Sequence, residues 1–187
     1  MTLPDQNPAG GRILVSQPSL NDRFFNRSVV MLAEHGPDGS FGFIVNKPAR
    51  IKLSSVTGEF GTFDTDLYLG GPVQVNNLFY VHSKGDMIKG SLKIIEGVYW
   101  GGDMNEIRSL LASGKLTEND IRFYAGYSGW QPCQLDDEMK QNSWIVLDGM
   151  KKYVFGLRPA YLWKRIVLNL GKDFAPWVNY PDDPNMN

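Results

Sequence analysis

The chain has 187 residues, 42% of them hydrophobic and 21% charged, with 19 Lys+Arg against 20 Asp+Glu and a formal net charge of −1. At roughly 100–200 residues per domain this is expected to be one domain over residues 1–187, with 1–10 and 178–187 as irregular tails; such a domain buries enough surface to fold without a disulfide or metal staple. The near-balanced charge excludes a protein built as a whole to coat nucleic acid or an anionic membrane, and the single cysteine, Cys133, excludes an intrachain disulfide and any multi-thiolate metal centre.

The first eleven residues have no basic region and no apolar core, so they do not read as a signal peptide. The longest apolar runs, Val29–Ala33 and Phe41–Val45, are about five residues, where a membrane span needs about 20. A bacterial-type cytoplasmic protein with a reduced thiol is the expectation, and the Asn26-Arg27-Ser28 triplet is then an accidental glycosylation match.

Short β-branched or aromatic runs closed by Gly, Pro or Asn predict strands at Ile13–Ser16, Val29–Glu34 and Phe41–Asn46, the last two joined through His35–Gly39 as an antiparallel hairpin with a five-to-six-residue loop. Further strands are predicted at Leu67–Leu69, Leu78–His82, Leu92–Ile95, Arg122–Tyr127 and Trp144–Leu147, with Gly126–Trp130 as a turn leading into a helix. Asp103 and Glu106 form a capping box for a helix whose apolar stripe is Met104, Ile107, Leu110 and Leu111 and whose stop is Gly114. A second helix starts at Pro132, carries an Asp136–Lys140 pair and turns Leu135 and Met139 inward; a third runs from Pro159 to about Leu170 and ends at Gly171. Many short strands with few long crossovers and about three helices predict an α+β fold with a largely antiparallel, bent or barrel-like sheet.

The chemistry-bearing residues are sparse. His35 and His82 lack the spacing of a zinc motif, so each reads as a strand-end hydrogen bond and no metal site is expected. Ala125-Gly-Tyr-Ser-Gly-Trp130 superficially suggests a nucleophile elbow, but Gly129 follows Ser128 directly; the glycines read as backbone geometry and Ser128 is not expected to be a nucleophile. Gly70-Gly71-Pro72 and Gly101-Gly102-Asp103 match neither dinucleotide nor P-loop fingerprints, so no nicotinamide, flavin or other cofactor is expected. Cys133 has no histidine near it in sequence and reads as a solvent-edge or half-buried thiol in the first turn of its helix. Lys151, Lys152, Arg158, Lys164, Arg165 and Lys172 lie in an acid-free stretch, leaving 13 basic against 20 acidic residues elsewhere, a net of −7. They are expected to pair with that acid excess, while the aromatics among them serve the core; direct nucleic-acid binding is expected to be weak and sequence-independent at most.

The order of motifs Leu20–His35, Gly39-Ser-Phe-Gly-Phe-Ile-Val-Asn-Lys-Pro48, Leu69-Gly-Gly-Pro-Val73, Gly97–Asp103, Phe123–Trp130 and Gln134-Leu135 resembles the YqgE/AlgH family of bacterial proteins across residues 10–175. The resemblance implies a barrel-like sheet flanked by helices and carries a label of transcriptional regulator, with no established reaction or ligand. It places the patterned polar positions at Arg27, Glu34, His35, Asn46 and Gln134, with Trp130 as the patterned aromatic. The chain departs from the family's usual Gly-Trp-Gly-Pro-Gly-Gln-Leu at Gln131 and Cys133, which replace two glycines.

No complete nucleophile–base–orienter set or metal set can be written, so an enzyme, of hydrolase type, ranks third. The first expectation is a binding domain for a small polar or anionic molecule or a protein partner, using Arg27, Glu34, His35, Asn46, Trp130 and Gln134 as candidate contacts, with no catalytic residue named. The second is a gene regulator acting on DNA or through a partner.

Overall fold

A computed structural model describes residues 7–20 and 22–180. The outer parts of the two expected tails, 1–6 and 181–187, lie outside them; of the remainder, Val178 still belongs to a helix. Ten strands form one mostly antiparallel, curled and unclosed sheet. They are β1 (Arg12–Ser16), β2 (Val29–Gly36), β3 (Gly39–Ile44), β4 (Pro48–Lys52), β5 (Asp66–Leu69), β6 (Val73–His82), β7 (Leu92–Ile95), β8 (Val98–Trp100), β9 (Ile121–Trp130) and β10 (Trp144–Asp148). The main path runs β10-β1-β2-β3-β9-β6-β8-β7, and β5 joins β9 as the single parallel pair, with β4 on its far side. Helices α1 (Met104–Ala112), α2 (Gln134–Lys140), α3 (Pro159–Asn169) and α4 (Ala175–Val178) flank it.

The α+β expectation holds, and Leu92–Ile95 is found as predicted. The hairpin is tighter than expected. Gly36 pairs with Gly39, so only Pro37 and Asp38 turn the chain, and Gly39 takes a positive φ of 122°. The segment Gly126–Trp130 is a correction: it is the second half of β9, because Ser40, Phe41 and Gly42 of β3 pair with Trp130, Gly129 and Ser128. A long-range ladder thus overrides the local turn signal of its glycines. Asp103 does cap α1, accepting from the backbone N–H of Asn105 at 2.7 Å and Glu106 at 3.3 Å. The box is not reciprocal: Asp103 N–H donates to Lys89 O at 2.8 Å, and the Glu106 carboxylate accepts from Lys89 N–H at 2.5 Å instead. Helix α2 starts at Gln134, after Pro132, and its ion pair is Lys140 with Asp137 at 2.7 Å, one residue from the expected partner.

Three apolar clusters fill the fold. The concave face holds Ile13, Met31, Phe43, Tyr124 and Val81 with the inner side of α3 (Leu162, Trp163, Ile166, Val167). A second cluster seats α1 through Ile107 and Leu111 on Phe123 and Leu67. The third seats α2 on the convex face, Leu135 meeting Leu14, Val30, Leu32, Ile44, Trp130 and Trp144.

The two glycine motifs meet in space. Between β5 and β6 the chain crosses β9, and a Cβ on Gly70 would overlap Gly126 O, while one on Gly71 would overlap the backbone of Tyr127 and Ser128. The crossing is held by Gly70 N–H donating to Ala125 O at 3.0 Å and by Gly70 O accepting from Ile44 N–H and from Ser128 Oγ, each at 2.9 Å. Ser128 is fully buried and occupied in that bond. Substitution Gly71→Ala should therefore cost at least about 3 kcal/mol or abolish folding, since backbone must move. Gly58→Ala, where a Cβ meets nothing within 4 Å, should change stability by no more than about 0.5 kcal/mol. Urea titrations of both variants decide the point; equal effects would refute the crossing as the constraint.

Candidate functional site

The register of two hairpin strands decides which side chains share a face. Val30 pairs with Ile44 and Leu32 with Gly42, and Val30 and Leu32 both pack on the convex face. Ala33 is then an extra residue, and Glu34 pairs with Phe41. The bulge moves Glu34 from the convex series onto the face of Phe41, and His35 onto that of Ser40. His35 Nδ1 accordingly meets Ser40 Oγ at 2.8 Å.

On the Phe41 face lies a cavity of about 570 Å3, lined by Glu34, Asp38, Gly39, Ser40 and Phe41 of the hairpin, Val73, Gln74 and Phe79 of β6, Trp100 of β8, and Tyr127, Gly129, Trp130 and Gln131 at the end of β9. Its walls are aromatic and half-buried. Phe41 meets Trp100 at 4.8 Å and Tyr127 at 5.1 Å, and Tyr127 meets Phe79 at 5.3 Å, all edge-to-face. The opening exists because β6 leaves its ladder: Val73 pairs with Tyr127, but the next paired residue is Leu78, opposite Ala125. Residues 74–77 loop outward, with Gln74 at a φ of 50° and its Oε1 accepting from Asn77 Nδ2 at 2.9 Å.

The six residues singled out from the sequence fall into three places. Glu34 lines the cavity, and His35 stands beside it on the Ser40 row. Asn46 and Arg27 come together elsewhere, just past the Ile44 end of β3, the opposite end from Gly39. There, buried Asn46 accepts from Val29 N–H at 2.8 Å and donates to Arg27 O at 2.9 Å, while the Arg27 guanidinium covers the Trp163 ring at 5.4 Å and donates to Tyr180 O. This is a clamp between the start of β2 and the C-terminal helices. Trp130 and Gln134 belong to the seat of α2. Gln134 accepts from Gln131 N–H and donates to Glu138, each at 3.0 Å. Glu138 Oε2 accepts from the indole N–H of Trp130 at 2.9 Å and of Trp144 at 2.7 Å. Trp130 borders the cavity as well, but at only 5% exposed its ring serves chiefly the core. The cavity residues that sequence reasoning missed are Asp38, Phe41, Gln74, Phe79, Trp100 and Tyr127; the polar break Gln74–Asn77 in an otherwise apolar run is the signal that marks the bulge.

One further expectation is overturned by position. The six basic residues of 151–172 are all exposed, and among the described residues none forms an ion pair, contrary to the expected pairing with the acid excess. Among the described residues no three His, Cys, Asp or Glu side chains converge as for a metal ion, and no helix is long and apolar enough to cross a membrane.

Comparison with known proteins decides the family. The profile of the family described as AlgH-like matches residues 13–175. The chain belongs to the AlgH-like family. Two relatives, each called a UPF0301 protein, are similar over nearly their whole length: one from Cytophaga hutchinsonii, 39% identical over 178 residues (95% of this chain, 98% of the relative), and one from Parabacteroides distasonis, 40% identical over 189 residues (100% and 96%). The AlgH-like fold recurs in two solved structures. Protein DIP2367 from Corynebacterium diphtheriae has a TM-score of 0.76 at 21% identity, covering 95% of this chain and 94% of its own. The AlgH protein from Pseudomonas aeruginosa has 0.72 at 24%, covering 91% and 93%.

Within this AlgH-like chain the departure at Cys133 has a local consequence. Cys133 stands just before α2, exposed, in the left-handed region at a φ of 64° and without a side-chain cap bond; it is not in the first helical turn. An L-residue there costs about 1–2 kcal/mol that a glycine does not incur. Cys133→Gly should raise the melting temperature by about 2–8 °C; an unchanged or lower value in calorimetry would contradict the strain.

His82 is fully buried. Its Nδ1 accepts from Lys84 N–H at 3.3 Å, which leaves the proton on Nε2 for Gly101 O at 3.0 Å, beside Ser91 Oγ at 3.1 Å. Burial holds the imidazole below its ordinary 6.5, with the Gly101 bond opposing more weakly. The fold therefore favours neutral His82. Its contribution is complete above 6.5, the ordinary value that applies in the unfolded chain, and is lost as pH falls below it toward the depressed native value. Melting curves from pH 7 to pH 5 should fall more steeply for the wild type than for His82→Gln; parallel curves would refute this.

Proposed function

We propose that this protein binds a small molecule in the aromatic-walled cavity between β3, β6, β8 and β9. The observation that carries the reading is the aromatic cavity itself: Phe41, Phe79, Trp100 and Tyr127 stand half-buried around a space of about 570 Å3, with carboxylate and amide groups at its rim. That is the size and composition of a ligand pocket, mostly apolar walls with a few polar groups to fix orientation. Backbone strain supports it. Gln74, a non-glycine residue at positive φ, sits on the rim, where such conformations concentrate at sites of function.

Of the occupants that the sequence leaves open, the polar small molecule fits this cavity best. An enzymatic reading draws no support from Ser128, which is enclosed and bonded to Gly70 O.

The test is native mass spectrometry of the protein after incubation with a bacterial metabolite extract, beside a Gly129→Leu variant. A Cβ at Gly129 meets only the Tyr127 ring at 3.1 Å and a Val73 methyl at 3.4 Å, so the larger side chain grows into the cavity. A mass adduct on the wild type that is absent from the folded variant is the expected result. No adduct on the wild type, or an adduct retained by the variant, would overturn the proposal.

A further inference from the structure

We propose that the ligand of this pocket is an organic cation, a quaternary ammonium or a protonated alkylated amine. This rests on the pocket being the binding site and adds the chemical class of its occupant.

Charge in the lining comes from one sign alone. Glu34 and Asp38 are both exposed on the rim, and among the described residues the lining contains no Lys, Arg or His. An anion entering would meet two carboxylates and no countercharge, whereas a cation meets both with the correct sign.

The walls act in the same direction. Aromatic faces carry negative potential, and a cation within about 6 Å of a ring centroid is attracted to it, most strongly by Trp. The rings cross steeply: Phe41 against Trp100 at 62°, Phe41 against Tyr127 at 75° and Phe79 against Tyr127 at 75°. Such walls meet as the sides of a box rather than as a parallel slot. A flat aromatic ligand needs the slot; a nearly spherical alkylammonium head needs the box.

An inorganic cation does not fit the same evidence. A hard metal ion takes six or more oxygen ligands, and among the described residues no three acidic, histidine or cysteine side chains converge anywhere. Phenyl, indole and phenol faces supply no replacement oxygens, but they suit the methyl and methylene groups that surround an organic nitrogen.

The experiment compares choline and tetramethylammonium with the neutral carbon isostere of choline, in which carbon replaces nitrogen, by calorimetric titration and by the part of the tryptophan fluorescence change that Trp100→Leu removes. The proteins are the wild type, a Glu34→Gln/Asp38→Asn double variant and Trp100→Leu. Both carboxylates are exposed, so the double variant keeps the fold. The wild type should bind the cations about tenfold or more tightly than the isostere, and the double variant should lose about tenfold for the cations with little change for the isostere. Trp100→Leu should weaken the cations as well. If the isostere binds as well as choline and the double variant changes nothing, the cation class is wrong while the pocket remains a ligand site. If neither cation binds at tens of millimolar, the cation class is also wrong, and the pocket reading is decided separately by the mass-adduct comparison with Gly129→Leu.

Discussion

Bare backbone crossing bare backbone is the contact on which the rest of this fold turns. Gly70 and Gly71 pass over Gly126 at a distance that no Cβ permits. The crossing ties β5, β3 and β9 together through one carbonyl, since Gly70 O accepts from both Ile44 N–H and Ser128 Oγ. Beside it, opposite Gly126, strand β6 leaves the ladder after Val73 and returns at Leu78. Phe79 and Tyr127 at this gap face the same space as Phe41 and Trp100.

A second constraint, the single extra residue Ala33, sets the chemistry of that cavity. Strand side chains alternate between faces, so one inserted residue reverses every position beyond it. Before the bulge Met31 faces the concave core while Val30 and Leu32 face α2. After it Glu34 joins Phe41 at the pocket, and His35 joins Ser40 on the other side. A carboxylate thereby sits beside aromatic rings instead of against the apolar seat of α2. The polar residues of the convex side are used internally, most visibly Glu138, which accepts from two indole N–H groups and from Gln134.

Much of the scaffold was legible in the chain. The Asp103 cap, the Leu162–Val167 stripe of α3 and most of the strand runs are local signals and formed where their residues indicated, though the run expected over Phe41–Asn46 is strand only over Gly39–Ile44. What failed did so where pairing is long-range. Gly126–Trp130 looks like a turn until β3 is known to lie beside it, and β4 and β8 are too short or too polar to stand out without β5 and β6 as partners. The candidate site was legible only in part. Glu34 and His35 were found through the family resemblance, but Asn46 and Arg27 share that pattern for a different reason: they clamp the start of β2 to the C-terminal helices. The aromatic wall was invisible because its four rings come from four strands that only the sheet order brings together.

Ligand recognition at the strand gap beside the glycine crossing is visible residue by residue in backbone amide and indole NMR spectra recorded during titration with tetramethylammonium. Shifts concentrated at Gly39–Phe41, Val73–Phe79, Trp100 and Tyr127–Gly129, the segments that frame the cavity, are the result this account predicts. Shifts centred instead on the Arg27–Asn46 clamp or on the exposed basic stretch 151–172, with the cavity segments unmoved, would contradict it.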